Sequence, residues 1–464
     1  MKKYLVFCAV ILAVLSCNND SLTPESDPPL PAAAPVFSLE PGSYDGPVEI
    51  SITCESEGAM IFYTTDGTDP MDLGSYTYND GNIIYMSEPT TVKAFAKGGG
   101  WGQSELVTGE FTMPYWKAVG DPGFTPEQAR DIVLAFDSSD TPYVAYHEPD
   151  NGYKASVMKY DGSSWVQVGS RGFSNYKSLK RSFAIDTADT LYLSYIEPKG
   201  GNDDDRWGIV KYFDGADWTD YDVDPVSGYV STERASDTSL AIGGGEVPYV
   251  VFKEGSPNQL EVMRHESTDW SVYGDGITRG ADYPYQALFD PCLAFNTAGT
   301  VPYAAYGTSS APQQVWVVRE GIYPEWEDVG SLVFEGEAGY INLAVDSKDT
   351  VYAAFTDSEY NIKVKKLSGA SWEDVGPANF SGPYHYELCF ALDSNDIPYI
   401  AYTDLGATVK MFDGIEWITV GQEKFTDGSV SDPSLAFDSE DTPYIAYSDF
   451  LNNDAKITVR KFSR

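Results

Sequence analysis

Positive charge is scarce in this 464-residue chain. Lys and Arg number 30 against 70 Asp and Glu, for a net charge of −40 with no basic block to offset it. So acidic a surface repels a phosphate backbone, which excludes nucleic acid as a partner. Cysteine is scarce as well, at five residues. Cys54, Cys292 and Cys389 lie far apart without a CxxC spacing, which argues against a disulfide framework or a zinc site and leaves buried free thiols as the expectation. Only three histidines occur, His147, His265 and His385, none with a Ser or Cys partner by motif. HExxH, GxSxG and phosphate-loop patterns are missing, which removes the common zinc-protease, serine-hydrolase and nucleotide classes. After the first seventeen residues no apolar run approaches membrane length. Cationic proteins, metal ions and neutral glycans remain as partners, beside the plain role of acidity in solubility.

Residues 1–17, MKKYLVFCAVILAVLSC, have the form of a secretion signal: Lys2 and Lys3, then an apolar run from Tyr4 to Leu15 too short to span a bilayer. The ending VLSC resembles a bacterial lipobox, which implies lipidation of Cys17 and an anchored rather than spanning protein. Cleavage by the ordinary signal peptidase is the alternative. The expected location is the cell envelope, at the outer membrane or cell surface. Residues 18–34 are polar and proline-rich and read as a tether.

Residues 35–113 change character. VEISIT (48–53), MIFYTT (60–65) and TTVKAFA (90–96) are short strands between Gly, Asp and Pro turns, the pattern of a small antiparallel sandwich. The order PVFSLEPGSYDGPVEISI, IFYTTDGTDP, TTVKAFA and SELVTGEF resembles the Ig-like domain found at the C-terminus of chitobiases and β-hexosaminidases. That resemblance implies a non-catalytic accessory module. Thr65, Asp66, Gly67 and Asp69 read as a hairpin turn rather than a binding loop.

From residue 114 the chain repeats. LAFDSSDTPYVAY (134–146) recurs in seven versions, the last LAFDSEDTPYIAY (435–447). A Trp strand recurs at residues 116, 165, 218, 270, 326, 372 and 417, at spacings of 45 to 56 residues. Four short strands per repeat of this length mark a β-propeller blade. The last repeat lacks its Trp strand, and the strand at Trp116 has no repeat before it. The fold expected is therefore all-β: a small Ig-like sandwich, then a seven-bladed propeller over 114–464, closed by pairing of its first and last segments. A six- or eight-bladed ring with one degenerate copy is the runner-up.

In such a blade the loops entering the first strand and those leaving the second share one face. The entering loops carry Phe173, Tyr176, Tyr229, Tyr283, Tyr285, Tyr340, Tyr384 and Tyr386. The leaving loops repeat an acid, Glu148, Glu197, Glu254, Asp357, Asp404 and Asp449, with Thr308 in its place in the fourth repeat. Aromatic platforms stack on sugar rings and carboxylates accept their hydroxyls. Against this, an acid at one fixed place can simply bond turn amides, and blades need aromatics to pack. On the other face the turns DSSD, DTAD, DSKD, DSND and DSED pair acids three residues apart. They lack the Gly and distant Glu of an EF-hand, so Asp-initiated turns are favoured over calcium, and no cofactor is expected. Sialidases also use propellers, but their Ser-x-Asp-x-Gly-x-Thr-Trp turns are missing here. The leading expectation is a monomeric, lipid-anchored, non-catalytic scaffold binding a glycan or an envelope or host protein. The alternatives are a carbohydrate-active enzyme, hydrolase or lyase, and a structural part of an envelope complex. Two converging acids with raised pKa values are the feature that would favour the enzyme.

Overall fold

The computed structural model describes residues 28–44, 46–71, 75–78, 82–221, 229–255, 259–277, 288–309, 312–383, 385, 387–426, 428–451 and 453–463. The signal segment with Cys17, and Tyr283, Tyr285, Tyr384 and Tyr386, lie outside them. The described residues are all-β apart from a single 3-10 turn at Pro149–Asn151. Among them, no helix is long and apolar enough to cross a membrane. The chain divides into two compact units, one drawn chiefly from residues before 113 and one containing Met113–Arg464.

In the first unit, Gly42–Ser43, Val107–Thr112, Thr90–Lys97, Met60–Thr64 and Tyr76–Tyr78 form a five-stranded sheet in that order. Two further strand pairs accompany it, and Ile50, Ile52, Ile61, Val92 and Phe111 are buried. Gly67, with φ 75°, turns the chain while the Asp66 carboxylate accepts the Thr68 amide at 3.0 Å. This is the hairpin turn read from the sequence.

The second unit holds seven antiparallel sheets among the described residues. Sheet 1 consists of Arg130–Phe136, Pro142–Glu148, Lys154–Tyr160 and Trp165–Gln167, paired in that order. The first strands of sheets 2 to 7 are Leu179–Ile185, Ala235–Gly243, Leu288–Phe295, Ala338–Val345, Glu387–Leu392 and Val430–Phe437. Sheet 4 adds Phe334–Glu335 beside its third strand. In sheet 7 the fourth strand comes from the other end of the repeats: Tyr115–Ala118 pairs with Lys456–Ser463, Trp116 opposite Phe462.

Second strands are apolar on both faces because a neighbouring sheet covers each side. Every residue of Pro142–Glu148 is buried. Pro142 begins that strand, where its missing N–H leaves no gap in the ladder. Clusters such as Leu134, Val144, Trp165, Tyr444 and Ile457 fill the space between adjacent sheets. Each buried side chain of this kind contributes about 1.5–3 kcal/mol.

Three sets of bonds tie sheet to sheet. Six indole N–H groups each donate to a carbonyl of the preceding sheet, Trp165 to Val119 at 2.7 Å and Trp116 to Val420 at 2.8 Å among them. First strands lie side by side in order, with the seventh beside the first. Thus Leu435 N donates to Cys389 Sγ at 3.3 Å, and Leu134 N to Ser434 Oγ at 2.9 Å. At the turns between first and second strands, Ser138 N donates to Asp189 Oδ1 at 2.7 Å. Thr297 N reaches Asp349, Ser347 N Asp396, Ser394 N Asp441, and Ser439 N Asp140, at 2.7–2.8 Å. These features fit a propeller.

The paired-acid turns divide their labour. The first acid bonds its own turn, as when Asp137 Oδ1 accepts the Ser139 and Thr141 amides at 3.0 and 2.9 Å. The second, in left-handed backbone at Asp140, Asp189, Asp349, Asp396 and Asp441 (φ 58–65°), holds the neighbouring sheet. Among the described residues, no group of three His, Cys, Asp or Glu side chains could hold a metal. Cys54, Cys292 and Cys389 are free and partly exposed as whole residues, while burial pushes the Cys292 thiol up to about 11 and the Cys389 thiol above its ordinary value. The sulfur of Cys389 serves the bond between first strands, at a position that Ser434 fills in the next sheet.

Candidate active site

The repeated acids at the ends of the second strands take three different roles. Asp357 and Asp404 serve their own turns. Asp357 Oδ1 accepts the Glu359 and Asn361 amides at 3.0 and 2.9 Å, and these bonds overcome the effect of burial to hold its pKa below the usual value. Asp404 bonds the Leu405 and Gly406 amides and Lys424 Nζ at 2.9 Å. Asp449 accepts Asn453 Nδ2 at 2.9 Å within its loop.

The three glutamates are buried instead. Glu148 is fully buried, held by Ser156 Oγ at 2.8 Å and Arg171 Nε at 2.6 Å. Glu197 is 2% exposed, and among the described residues its Oε2 has no hydrogen-bond partner. Burial pushes it up to about 6 against the pull of Lys211. Glu254 shares the Thr232 hydroxyl with Glu261. Burial and the Glu261 charge push it up to about 7. These acids therefore do not form one exposed ring. The three glutamates are shut away from water, where only a paired or protonated carboxyl is tolerated.

The described members of the aromatic set take different places. Tyr229 is buried, 5.5 Å from Trp207, with Lys199 Nζ 4.5 Å from the Trp207 ring. Phe173 stacks on Trp218 at 4.7 Å as packing. Tyr176 and Tyr340 remain exposed, at 38% and 43%.

A different set converges. Three residues before the repeated Leu or Phe of each first strand stand Asp131, Lys180, Asp237, Asp290, Tyr340, Glu387 and Asp432, one per sheet. Because first strands are neighbours, this register gathers one residue from each sheet at one end. Local geometry explains the approach. Register shifts interrupt the pairing at Arg130/Val133, Phe289/Cys292, Gly339/Asn342 and Ser431/Ser434. At those bulges Asp131, Asp290, Tyr340 and Asp432 have φ between 47 and 54°. Such backbone is strained for a side-chain-bearing residue, and its amide leaves the ladder. The preceding sheet's acid takes that amide: Asp131 N donates to Asp432 Oδ1 at 2.8 Å, Asp432 N to Glu387 Oε2, and Tyr340 N to Asp290 Oδ2 at 3.0 Å.

The electrostatics are those of crowded acids. Burial first, then the Asp432 charge, push Glu387 up to about 7, against the Asp432 amide and Arg130. Asp432 is also raised, by burial and by the Asp131 charge, while the Ser431 hydroxyl and Arg130 oppose. Arg130 Nη1 is 3.0 Å from Ser431 Oγ and 3.7 Å from Asp432 Oδ2, with its guanidinium 4.4 Å from the Phe450 ring. His147 Nδ1 lies 3.3 Å from Asp131 Oδ2. Burial, then the Glu387 and Asp290 charges, push Tyr340 up to about 12. A carboxyl that keeps its proton near neutrality beside another carboxyl is the arrangement of an acid–base pair.

The sequence did carry a signal for this site: four of the seven positions at that register are Asp. It was missed because the repeated phrase is legible from the Leu onward. Glu148, Glu197, Glu254, Asp357, Asp404 and Asp449 do sit at the same end of their sheets, one strand further along.

The fold and site define an all-β protein with propeller-like sheets and an acid pair at the strand entrances. Residues 39–109 match the chitobiase/β-hexosaminidase C-terminal domain family. No curated protein matches the chain. Among solved structures it is similar to the polysaccharide lyase Uly1, at 10% identity and a TM-score of 0.51, covering 91% of this chain and 99% of that one. It is also similar to an ulvan lyase of polysaccharide lyase family 25 bound to -[GlcA(1-4)Rha3S]-, at 11% identity and a TM-score of 0.47, covering 74% and 93%. A Penicillium chrysogenum α-L-arabinanase complexed with arabinobiose gives 11% identity and 0.41, covering 62% and 93%. At 10% identity the likeness to Uly1 is one of fold.

Proposed function

We propose that this protein is a carbohydrate-active enzyme whose catalytic pair is Glu387 and Asp432. The observation that carries the reading is their convergence at the strand entrances with both pKa values raised. A carboxyl protonated up to about pH 7 can donate to a glycosidic oxygen, while a neighbouring carboxylate stabilises the sugar cation or activates water. Hydrolysis suits these residues better than elimination, because a mouth rich in Asp and Glu repels the uronate that elimination requires. The fold shared with a polysaccharide lyase supports a polymeric glycan as substrate.

The same reading takes the seven sheets as blades of one closed ring. What supports closure is that the bonds between turns and between first strands run from sheet 7 back to sheet 1, Ser439 to Asp140 and Leu134 to Ser434. It keeps Cys17 as a lipid anchor at the outer membrane or cell surface, residues 18–34 as a tether, the sandwich as an accessory module and the protein as a monomer.

Glu387→Gln tests the proposal, because its amide oxygen can still accept the Asp432 N–H. Wild type should release reducing ends from a neutral polysaccharide, with activity falling as pH rises above about 7. The variant should be slower by about 10²–10⁴-fold. Ultraviolet-absorbing unsaturated ends, released instead from a uronate-bearing polysaccharide, would replace hydrolysis with elimination. Glycan binding without any cleavage would restore the non-catalytic scaffold.

A further inference from the structure

Sheets 3, 4 and 5 lack a packing feature of the other four, with Val230, Ile277 and Val333 at the places that elsewhere carry a Phe. In four places a Phe from the loop leaving one sheet lies flat on the Trp of the next. Phe124 covers Trp165, Phe173 Trp218, Phe380 Trp417 and Phe425 Trp116, at 4.2–4.8 Å and 6–17°. Phe124, Phe173 and Phe425 are fixed there by amide bonds to Ile457, Ala155 and Ala407, each at the start of a third strand. Ile277 makes the corresponding bond to Leu260 at 2.8 Å. An aliphatic side chain therefore stands where a Phe would cover Trp326.

What sets Trp326 apart within this group is its indole N–H. The other six strand tryptophans donate their indole N–H to the preceding sheet, at 2.7–3.1 Å. Among the described residues, Trp326 makes no such bond. In place of the stacked ring is a cavity of about 360 Å³. Trp326, Tyr306 and Val318 supply its apolar and aromatic wall, and Asp275, Glu325 and Asp328 its polar rim. Among the described residues, no cation lines it.

We propose that this cavity between sheets 3 and 4 is a sugar-binding site, separate from the strand entrances, that takes one neutral or amino-bearing pyranose. Elsewhere in the same fold a flat ring of similar breadth sits on the equivalent Trp. A pyranose presents its C–H face to an indole as a Phe presents its ring, so it can fill the vacated place. The carboxylates accept hydroxyl or ammonium hydrogens around the rim and repel a uronate. The lining is mostly polar, with one indole face among three carboxylates, which suits a hydroxyl-rich ligand better than an apolar one. The site does not depend on the acid pair and would anchor substrate away from the point of cleavage.

The test is titration calorimetry of the protein with methyl glucoside, glucosamine and glucuronate. The first two should bind and glucuronate should not. Ile277→Phe restores the ring that four other places carry; it should fold with undiminished thermal stability and lose binding by at least about tenfold, or about 1.4 kcal/mol. Glu325→Gln leaves the cavity open and should weaken glucosamine by about tenfold, which keeps the idea testable if the Phe variant fails to fold. Glu387→Gln should bind as wild type does, so loss of cleavage and loss of this site are read apart. The proposal is overturned if neither glucoside nor glucosamine binds at millimolar concentration, if glucuronate binds as well as glucosamine, or if filling the cavity leaves binding unchanged.

Discussion

Replacing Glu387 by Gln should make the protein more stable at alkaline pH, and by a calculable amount. Glu387 has its pKa carried from 4.5 to about 7 by burial and the Asp432 charge. Its neutral form is thus the one the fold prefers. The favourable contribution is complete below pH 4.5 and is lost as pH rises through about 7. Each tenfold change in proton affinity is worth about 1.4 kcal/mol, so above pH 8 the native state carries a penalty of about 3 kcal/mol. Gln has the shape and acceptor of the protonated acid without its charge. At pH 4 the two proteins should melt together. At pH 9 the variant should be higher by about 3 kcal/mol, or about 4 °C for a cooperative unit of about 350 residues. Thermal and denaturant unfolding from pH 4 to 9 measure the difference directly. A gap that does not change with pH would refute the buried-acid account, and with it the reason for assigning Glu387 as proton donor.

Two further outcomes follow from bonds described above. Arg171→Met should destabilise the protein by about 3–5 kcal/mol in chemical denaturation, since it leaves the fully buried Glu148 carboxylate without its cation. Asp396 is held down to about 2 by Lys348 and the Ser347 hydroxyl and amide, so its contribution is present above about pH 4 and fades as pH falls toward 2. Asp396→Ala should therefore lower the melting temperature at pH 6 more than at pH 2; equal losses at both would show that the bond to the next sheet contributes no pH-dependent stability.

The strands were largely legible because their residues repeat with a two-residue alternation and a fixed phrase. Pro142 at a strand start and the pairing of Trp116 opposite Phe462 both follow from that pattern. The strand entrances were not, and the reason is geometric. At Asp131, Asp290, Tyr340 and Asp432 the backbone turns left-handed, so alternation fails where the acids meet. Nor could spacing reveal that Glu148 faces Arg171, 23 residues on, while Asp357 faces its own turn. The two share a repeat position, and side-chain length separates their roles: Glu reaches a neighbouring element, whereas Asp bonds the amides beside it.

The strand carried by Trp116 also sets the order in which the second unit can be finished. A chain emerging from its N-terminus presents Tyr115–Ala118 early, yet the partner of that strand, Lys456–Ser463, is the last described segment to be made. Until then the indole of Trp116 lacks Val420, and both strand edges stay bare. Joining them closes the longest loop in the unit, an entropic cost met only at the end. Completion is therefore delayed until Lys456–Ser463 has been made. Loss of the final strand alone would leave sheet 7 with two of its four strands in place.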